Sequence, residues 1–442
     1  MNKLSNIFQP SLIIPKNAII KNQDVTSKSQ RLMLEQGLIR PAGNGTFYIL
    51  PLLQRSVRKA IDLVDHFMQH HVEAEKLTLP ILTSAELWQK SGRLETAGGE
   101  LMSITDRHGK QQILGPTHEE SITALLAAIS PVSYRQFPLR LYQISSKFRD
   151  EMKPRFGLLR AKEFLMKDLY TFDVGLNEAR RTYDQVNDAY RKLFDAVGVP
   201  FVKVSGDTGV MGGSISHEYH FPSDVGEDQL VCCSACGMGC NQELFNGGQI
   251  CVQCGSENIV RQAGIEVAHA FILEDKYSKT LGATYLHQNG KPKTLQMGCY
   301  GIGITRLLAA GVEVLSSETD IRWPSVFAPF KVCFIQPKKG SKEETLVEPW
   351  LLKLTNEVSK LPGVGSDFVV DDRTNLTIGK RLMDAKKIGY PIVVVLGSKA
   401  AERGNEHFEV HSQTDETQKL LNFSETVKEI ERNLNRIVKF SV

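Results

Sequence analysis

The sequence lacks any apolar run long enough to cross a bilayer. A membrane-spanning helix needs about eighteen or more consecutive apolar residues. The longest apolar stretches here, such as residues 392–396, have the length of a buried strand instead. The hydrophobic segment that directs a protein to secretion is missing as well. These absences exclude a transmembrane helix and predict that the protein has no membrane partner.

A strong bulk charge is also absent. The formal net charge is only +3 at pH 7, so any contact with nucleic acid must come from local basic clusters. The chain contains no internal repeat and no low-complexity tract. A length of 442 residues with 41% hydrophobic content predicts two or three domains, each with a core of its own.

Acidic residues are missing from the start of the chain. The first 23 residues contain Lys3, Lys16 and Lys21 but no Asp or Glu, and the first acidic residue is Asp24. A basic start poor in acidic residues is typical of a mitochondrial transit peptide. The sequence therefore predicts residues 1–23 as a mitochondrial transit segment, with a disordered start as the alternative.

Cysteines are scarce outside one short segment. Six of the eight lie within residues 232–254, which argues against a disulfide framework and for a metal site. Two Cys-x-x-Cys pairs supply four thiolates, the ligand set of a closed structural zinc site. The predicted ligands are Cys233, Cys236, Cys251 and Cys254. We predict a zinc-ribbon-like insert over residues 229–262, with Cys232 and Cys240 as substitute ligands; reduced surface cysteines are the alternative.

The spacing of apolar residues predicts two long helices. One begins near Leu53, and the other covers residues 177–197 with Gly198 as its C-terminal stop. The first helix leads into a strand-like stretch over residues 72–79 that ends at Pro80. Its apolar face suits either the core of the chain or a subunit interface.

The predicted strands fall into two groups. Residues 139–148 and 163–172 flank a polar loop that contains Lys153 and Arg155, which predicts an antiparallel pair with a basic loop. Beyond Pro329 strands and helices alternate, which predicts a separate α/β domain with a mostly parallel sheet. The strands predicted there are residues 331–336, 367–370 and 390–396, with a helix ending near Leu361 and another beginning near Ile378.

Charged residues surround the basic loop. Arg149 and Glu151 precede it, and Arg160 follows it. Arginine offers a planar fork for a phosphate, and a neighbouring carboxylate can accept from an amine or hold magnesium. A solvated hairpin tip explains the same charges, so this loop alone does not identify a site.

A glycine-rich turn at residues 298–306 precedes an apolar helix. The pair Gly301 and Gly303 differs from a dinucleotide-binding fingerprint, because Arg306 takes the place of the third glycine and no βαβ unit precedes it. Glycines allow the backbone to approach a flat ligand, and an arginine in the first helical turn suits a terminal phosphate. The combination favours ATP.

Taken in order, these segments resemble the three motifs of class II aminoacyl-tRNA synthetases. The helix and strand that end at Pro80 are similar to motif 1. Phe148–Glu151 with Arg155–Gly157 is similar to motif 2, and Gly301–Arg306 to motif 3. Three further segments resemble the prolyl-tRNA synthetases within this class. They are Gly115–Glu120, Gly212–Glu218 and Gly298–Gly303.

This resemblance covers nearly the whole chain after residue 24 and implies an α/β fold. It implies a class II antiparallel-sheet catalytic domain over residues 24–327, which carries the small zinc-ribbon-like insert, and a C-terminal α/β anticodon-binding domain over residues 328–442. The interval from Glu218 to Gly264 is too short for the editing domain of many bacterial relatives. The resemblance is therefore to the short mitochondrial type.

The resemblance also implies roles for individual residues. A cyclic secondary ammonium has two N–H donors, and a buried carboxylate can satisfy its charge. The implied substrate-binding residues are Thr117, Glu119, Arg149, His217, His269 and Cys299. The implied ATP-binding residues are Arg149, Glu151, Arg160, Gly301, Gly303 and Arg306, of which Arg149, Glu151 and Arg306 are catalytic. The implied anticodon-binding residues are Asp372, Arg373 and Lys380.

The implied activity is ATP-dependent joining of proline to its tRNA, with magnesium as cofactor and zinc in the insert. The implied partners are a proline-accepting tRNA, L-proline and a second copy in a homodimer, and the implied location is the mitochondrial matrix. An alternative is a non-catalytic accessory protein built on a class II scaffold, but such a protein loses the ATP-site pattern. A threonyl- or histidyl-type enzyme is the other alternative, although the Cys-His-His zinc set of the threonyl site is not found in the predicted catalytic core.

Overall fold

The computed structural model describes residues 1–10, 25–129, 132–246, 248–402, 404, 406–413 and 415–438. The strands are β1 (Asn2–Lys3), β2 (Ile39–Gly43), β3 (Thr46–Ile49), β4 (Glu75–Lys76), β5 (Leu82–Ser84), β6 (Met102–Thr105), β7 (Gln111–Leu114), β8 (Val132–Ser133), β9 (Leu139–Phe148), β10 (Glu163–Asp173), β11 (Val202–Ser205), β12 (Ile215–Pro222), β13 (Asp228–Cys233), β14 (Gly239–Asn241), β15 (Ile259–Glu274), β16 (Thr284–Leu286), β17 (Pro292–Thr294), β18 (Gln296–Gly303), β19 (Val332–Ile335), β20 (Phe368–Asp371), β21 (Ile392–Val395), β22 (Phe408–Ser412) and β23 (Thr417–Leu421). The α-helices are α1 (Lys28–Glu35), α2 (Pro51–His70), α3 (Ala85–Lys90), α4 (Arg93–Thr96), α5 (Glu119–Ile129), α6 (Leu176–Val197), α7 (Lys276–Leu281), α8 (Ile304–Leu315), α9 (Glu344–Lys360), α10 (Ile378–Ile388) and α11 (Phe423–Val438).

A nine-stranded sheet forms the centre of the larger part of the chain. Its strand order is β12-β11-β14-β13-β15-β18-β10-β9-β4, and it is antiparallel apart from the parallel pairs β11–β14 and β4–β9. Helices α6 and α8 pack against β10, β15 and β18, and α2 packs on both helices. Since successive residues of a strand point to opposite faces, the side chains opposite these helices are available for a site. The predicted class II antiparallel-sheet fold is confirmed.

A six-stranded sheet forms the second core, in the order β1-β20-β19-β21-β22-β23. The first four strands are parallel, and β22 and β23 complete the sheet in the antiparallel sense. Every residue of β19, β20 and β21 is buried, as expected for parallel strands covered on both faces. The predicted C-terminal α/β fold with a mostly parallel sheet is confirmed, whereas the division at residue 327 stays a prediction.

Element bounds agree closely with the sequence pattern, with one exception. The strand β9 has the predicted bounds, and α6 ends at Val197 with Gly198 in the left-handed region at φ 75°. The strand predicted over residues 72–79 is wrong in extent, because only β4 is regular. Glu73 adopts φ 57°, which interrupts an extended backbone.

The apolar face of α2 lies inside the chain. Leu53, Val57, Val64 and Met68 are buried, in contact with the same core as α6 and α8. This face is therefore core, and a subunit interface on α2 has to use its other side. Among the described helices, none combines the length and the apolarity that crossing a membrane requires.

The cysteine-rich insert extends the large sheet. The strand β13 pairs with β14 on one side and with the first half of β15 on the other, with Cys232 opposite Val260. Residues between these strands form tight turns that carry the two Cys-x-x-Cys pairs. The predicted insert is therefore tied to the strand β15, which continues into the middle of the sheet.

Residues 2–9 contact two parts of the chain, the strand β20 of the smaller sheet and the end of α1. The strand β1 pairs in parallel with β20, and Leu4 is buried. Ser5 donates to both carboxylate oxygens of Asp372 through its backbone N–H (2.9 Å) and its hydroxyl (2.7 Å). Gln9 Nε2 donates to the carbonyl of Gln36 at 3.0 Å. The predicted transit segment stays a prediction, and its residues 11–23 lie outside the described residues.

Candidate active site

A cavity of about 560 Å³ opens on the face of the large sheet that is opposite α6 and α8. Side chains of β10, β15 and β18 form its floor, and the residues before and within the first turn of α5 form one wall. The predicted site residues that line it are Thr117, Glu119, Arg149, His269, Cys299, Gly301, Gly303 and Arg306. Four separate stretches of sequence are thus brought into one cavity.

Glu119 lies at one end of this cavity and is fully buried. Its Oε1 accepts hydrogen bonds from the Thr117 hydroxyl (2.7 Å) and the Cys299 thiol (3.0 Å). Its Oε2 accepts from Arg93 Nη1 at 3.0 Å. Burial raises the pKa of Glu119, but Arg93 and the hydrogen bonds from Cys299 and Thr117 outweigh it, so the pKa lies below its usual value. The pocket therefore holds an ionised carboxylate.

The turn that carries Thr117 and Glu119 is anchored from beneath. The His118 backbone N–H donates to Tyr170 Oη (2.8 Å), and this hydroxyl donates to Asp168 (2.8 Å). Lys147 Nζ donates to His118 Nδ1 (2.8 Å) and forms an ion pair with Asp168 (2.9 Å). Burial and then the charge of Lys147 lower the pKa of His118, so the imidazole is a neutral anchor.

Two guanidinium groups occupy the other end of the cavity. Arg306, in the first turn of α8, donates to the carbonyls of Leu159 (2.8 Å) and Glu266 (3.1 Å). The Arg149 guanidinium lies 5.3 Å from the centre of the Phe164 ring. Burial and then Arg306 lower the pKa of Arg149, as expected for two cations that face one cavity. This end of the cavity suits a polyanion.

His269 is held by a carboxylate that the sequence did not single out. Its Nδ1 lies 2.7 Å from Glu266 Oε1, its Nε2 lies 2.5 Å from the Ser216 hydroxyl, and its ring stacks on Phe271 with centroids 3.8 Å apart. Burial raises the pKa of Glu266, but the hydrogen bond and charge of His269, together with Arg306, lower it to about 2. Glu266 is therefore ionised between the imidazole and the guanidinium.

A loop before β12 covers the Glu119 end of the cavity. Lys276 Nζ donates to the carbonyls of Val210 (2.9 Å) and Met211 (3.0 Å), and Tyr277 Oη also donates to the Met211 carbonyl (3.1 Å). Gly213 has φ +97°, and a Cβ there would lie 1.9 Å from the Ile272 carbonyl oxygen. Only glycine allows this close approach to β15.

Three predicted residues lie outside the cavity. His217 projects to the other face of β12, where its Nδ1 lies 2.6 Å from Tyr183 Oη of α6, so its predicted place in the proline pocket is wrong. Glu151 accepts from Arg160 Nε at 2.8 Å, and Arg160 also pairs with Glu227. Glu151 and Arg160 thus form an ion-paired group beside the cavity and do not line it.

The predicted anticodon-binding residues all have partners within the chain. Arg373 donates through Nε (3.0 Å) and Nη2 (2.7 Å) to both oxygens of buried Asp371. Lys380 Nζ donates to Asp384 at 2.7 Å, and Asp372 accepts from Ser5. The Nε edge of Arg373 is therefore occupied by Asp371 and is not available for a bidentate contact with a base.

The four predicted zinc ligands come together in the insert. Their sulfur atoms all lie within 4.8 Å of one another, with Cys233 to Cys254 at 3.7 Å and Cys236 to Cys251 at 3.6 Å. A tetrahedral site with Zn–S bonds of about 2.3 Å requires sulfur separations of about 3.8 Å. Within the described residues no other group of cysteine, histidine and carboxylate ligands of this kind occurs.

Comparison with known proteins adds independent evidence. The family profile for the tRNA synthetase class II core domain (G, H, P, S and T) matches residues 102–315, and the profile for the anticodon binding domain matches residues 350–433. A human protein named "Probable proline–tRNA ligase, mitochondrial" is 46% identical over 93% of this chain and 86% of its own length. The chain belongs to the proline–tRNA ligase family. The corresponding Schizosaccharomyces pombe protein is 40% identical over 87% of this chain and 89% of its own length.

Solved structures agree in fold with this proline–tRNA ligase family member. A Giardia lamblia prolyl-tRNA synthetase in complex with prolyl-adenylate aligns with a TM-score of 0.76 at 16% identity, over 93% of this chain and 80% of that one. A Cryptosporidium parvum prolyl-tRNA synthetase complexed with L-proline and AMP aligns with a TM-score of 0.73 at 16% identity, over 96% and 79%. At this identity the likeness concerns the fold alone.

Sequence reasoning missed several side chains of this ligase-type cavity. Arg93 lies 26 residues before Glu119 in a short helix, and no local pattern links the two. Glu266 precedes His269 by three residues, a spacing that normally puts two strand residues on opposite faces. An irregularity in the pairing of β12 with β15, where His220 is opposite Glu266, brings both to one face. A β-bulge of this kind leaves no signal in a single sequence.

Proposed function

We propose that the protein activates proline with ATP and transfers it to the 3′ end of a proline-accepting tRNA. The observation that carries this proposal is the charge pattern of one cavity. A buried carboxylate, Glu119, lies at one end, and the guanidinium groups of Arg149 and Arg306 lie at the other. Proline has a cationic nitrogen and ATP a polyanionic tail, so the two substrates match the two ends.

At the carboxylate end, Glu119 and Thr117 bind the proline nitrogen. Glu119 is already ionised and oriented, so the secondary ammonium gains a charge-assisted hydrogen bond at little cost in reorganisation. Phe271 and Cys299 supply apolar surface for the pyrrolidine ring. His269 stacks on Phe271 and keeps its ring in place.

At the cationic end, Arg149 binds the α-phosphate and the proline carboxylate, and Arg306 binds the γ-phosphate. The carboxylate oxygen attacks the α-phosphorus, the bond to the bridging oxygen breaks, and pyrophosphate leaves. A terminal ribose hydroxyl of the tRNA then takes the prolyl group and AMP leaves. Both steps depend on positioning and charge stabilisation, and no enzyme nucleophile is required.

Gly301 and Gly303 leave room for the nucleotide beside β18, and Glu151 with Arg160 binds its adenine side. These two residues are now paired with each other and with Glu227, so nucleotide binding has to rearrange the loop. Magnesium, when bound with ATP, would supply positive charge to the triphosphate. Glu100 and Glu266 line the cavity and offer carboxylate oxygens of the type magnesium binds.

The second sheet is proposed to bind the anticodon. Asp372, Arg373 and Lys380 lie at or after the carboxyl end of β20, the edge where α/β sheets present ligand-binding groups. A base would exchange with the present partners of these side chains, Ser5 and Asp384. Residues 24–327 and 328–442 are the proposed catalytic and anticodon-binding domains.

The cellular location and the oligomeric state are proposed from the family to which the chain belongs. Relatives from human, rat and fission yeast are named as mitochondrial proteins, which supports the mitochondrial matrix as the location. We propose a homodimer, as the resemblance to class II enzymes implies. Zinc fits the four thiolates of the insert, whose sulfur separations match a tetrahedral site.

Exchange of pyrophosphate into ATP, measured with each amino acid in turn, tests the proposal. We expect exchange with proline and very little with threonine or histidine. Glu119→Gln keeps the shape of the side chain but removes a buried charge, at a cost of about 2–5 kcal/mol. Proline-dependent exchange should therefore fall at least about tenfold. Exchange that depends on another amino acid would contradict the proposal and favour an enzyme such as the threonyl or histidyl type, and the absence of any exchange would contradict it and favour the non-catalytic alternative.

A further inference from the structure

A buried cation lies directly behind the carboxylate of the pocket. Arg93 is 5% exposed, and its Nη1 donates to Glu119 Oε2 at 3.0 Å and to both oxygens of Glu120 at 3.2 Å. Its Nη2 contacts Met211 Sδ at 3.3 Å, in the loop that covers the cavity. The guanidinium also lies 4.8 Å from the centre of the Trp88 ring. One side chain therefore contacts the pocket carboxylate, a second carboxylate and the covering loop.

The second carboxylate has few other partners. Glu120 is fully buried, and besides Arg93 it accepts only from the Ser91 hydroxyl at 2.8 Å among the hydrogen bonds of the described residues. It does not line the cavity, so it does not contact substrate directly. The buried group thus contains two carboxylates and one guanidinium.

The charges of this group do not balance when both carboxylates are ionised. Asp168 and Lys147 form a separate ion pair, and neutral His118 lies between this pair and α5. The other facing groups are the Tyr277 ring, the Cys299 thiol and Lys276, whose ammonium is bound to two carbonyls of the covering loop. Lys276 is half-buried and its ammonium is held by the covering loop, so within the fully buried group itself one negative charge has no buried counter-cation, which is costly unless a proton or a cation neutralises it.

We propose that Arg93 and Glu120 are positioning residues that set the affinity for proline: Arg93 holds Glu119, and Glu120 carries a proton that the substrate ammonium displaces. This inference rests on the proposed role of Glu119. The proton leaves the Glu120 carboxyl for solvent when the ammonium enters, so the buried charge is balanced before and after binding. Burial, with a smaller contribution from Glu119, raises the pKa of Glu120 despite the opposing effect of Arg93.

The sign of the pH effect follows from proton release. Below the raised pKa of Glu120, the free enzyme holds one more proton than the complex, so proline binds more tightly as the pH rises. The limiting slope is about tenfold per pH unit, and it falls to zero above that pKa. Glu120→Gln fixes the group in its neutral form, so its affinity should equal that of the wild type at low pH and stay flat as the pH rises.

Calorimetric titration of L-proline into the full-length protein tests the proton release directly. The titration is repeated in two buffers of different ionisation enthalpy, across about pH 5 to pH 8. The wild type should release a proton in the part of this range that lies below the raised pKa of Glu120, and Glu120→Gln should release none. Asp173→Asn is the matched control, since Asp173 is a buried carboxyl with a raised pKa outside the cavity. Binding without proton release in the wild type, or equal release in Glu120→Gln, would overturn the inference.

The role of Arg93 is tested by comparing Arg93→Lys with Arg93→Met in the exchange assay. Lysine keeps the charge but loses the planar guanidinium, whose Nη1 donates to both carboxylates and whose Nη2 contacts the covering loop. The KM for proline should rise at least about tenfold in Arg93→Met and less in Arg93→Lys, with the KM for ATP little changed. Equal KM values for proline in folded wild type and both variants would overturn the role of Arg93. If instead the wild type itself fails to activate proline, the proposed function fails.

Discussion

At the scale of single residues, a buried ionisable group in this protein either contributes to ligand binding or lowers the stability of the fold. In the cavity their charges are compensated by neighbours, as for Glu119 with Arg93 or Glu266 with His269. Elsewhere a buried carboxyl is left with little compensation. Asp173 accepts only from the Thr182 hydroxyl (2.9 Å), and its Oδ2 has no hydrogen-bond partner in the described structure. Such a group costs stability, whereas a compensated one can serve binding.

Asp173→Asn should therefore stabilise the protein at neutral pH. Burial raises the pKa of Asp173 from 3.8 to about 6. The folded state then binds more protons than the unfolded state between these values, so the free energy of unfolding falls as the pH rises through that window. Asparagine removes this cost, which amounts to about 1–3 kcal/mol at pH 7.

Thermal unfolding of wild type and Asp173→Asn at two pH values measures the effect. The melting temperature of the variant should be higher at pH 7, and the difference should shrink towards pH 4. A variant that is no more stable at pH 7, or equally stabilised at both pH values, would show that Asp173 is not the source of the effect.

Single residues also show how far the sequence could lead. A charged loop indicated Arg149, a glycine-rich turn indicated Arg306, and the resemblance to prolyl-tRNA synthetases implied Glu119; the fold brings all three to one cavity. His217 was misplaced because the strand phase of β12 is not visible in the sequence, and the alternation of side chains directs it to α6. Arg93 was missed since its partners are distant in sequence. A local sequence pattern identifies the types of residue at a site. It does not show which charged residues that are distant in sequence form ion pairs.

At the scale of elements, the proposed zinc would stabilise the cysteine-rich insert. The insert consists of two short strands, β13 and β14, the start of β15 and two turns around four cysteines, with little apolar core of its own apart from residues shared with the sheet. In such segments metal binding supplies much of the folding free energy. The strand β15 continues from the insert into the floor of the cavity, so the two regions share a backbone.

We expect about one zinc ion per chain in freshly purified, reduced protein. Cys236→Ser should lose the zinc and make residues 233–254 sensitive to proteases. Activation of proline should be partly retained, because the ligands lie outside the cavity. Elemental analysis and limited proteolysis measure these outcomes, with Cys240→Ser as the control that keeps the metal. Protein without zinc, or complete loss of activation in a folded Cys236→Ser variant, would contradict the account.

The N-terminal segment, residues 2–10, is a second element with a testable role. It adds β1 to the edge of the smaller sheet, holds Asp372 through Ser5 and contacts Gln36 through Gln9. Removing residues 1–10 exposes the edge of β20 and frees Asp372, so the smaller sheet loses a connection to the rest of the chain. The sequence alone suggested a transit segment here, since two residues of strand pairing produce no periodic pattern.

Deletion of residues 1–10 should raise the KM for tRNA in the charging reaction by at least about fivefold, an effect on the order of 1 kcal/mol. Proline-dependent pyrophosphate exchange should change much less, because none of the deleted residues lines the cavity. The substitution Ser5→Ala is the matched variant, since it removes one hydrogen bond to Asp372 and keeps β1. A deletion that leaves the KM for tRNA unchanged, or that abolishes exchange, would contradict this role.

At the scale of the whole molecule, the short interval between Glu218 and Gly264 affects the accuracy with which the amino acid is selected. The cavity cannot exclude alanine by steric clash, because alanine is smaller than proline and presents the same carboxylate and a compatible ammonium. Each missing methylene gives only about 1–3 kcal/mol of discrimination. Between Glu218 and Gly264 the chain has room only for the cysteine-rich insert, as the strands β13, β14 and β15 show.

We therefore expect the enzyme to make some alanyl-tRNA and not to remove it. Preformed alanyl-tRNA for proline, incubated with this protein, should hydrolyse at the spontaneous rate. The alanine-dependent exchange rate gives the matching measure of misactivation. Hydrolysis well above the spontaneous rate would reveal an editing site elsewhere in the chain.

The architecture as a whole was largely predictable, because strong local patterns coincide with the fold. Buried parallel strands such as Ile392–Val395 read as continuous apolar runs, and α6 shows clear helical spacing up to Gly198. Contacts that depend on pairing between segments distant in sequence could not be predicted. The edge position of β1 and the ion pairs of Glu227 with the loop after β9 depend on strand order, which no local pattern encodes.

The most direct test of the central claim is the charging of a proline-accepting tRNA by the purified chain with ATP and labelled proline. We predict prolyl-tRNA as the product, formed with proline in preference to every other amino acid. The Glu119→Gln variant should charge at least about tenfold more slowly. Binding of the tRNA without formation of a prolyl ester, or charging that Glu119→Gln leaves unchanged, would contradict the assignment of this cavity as the site where proline is activated.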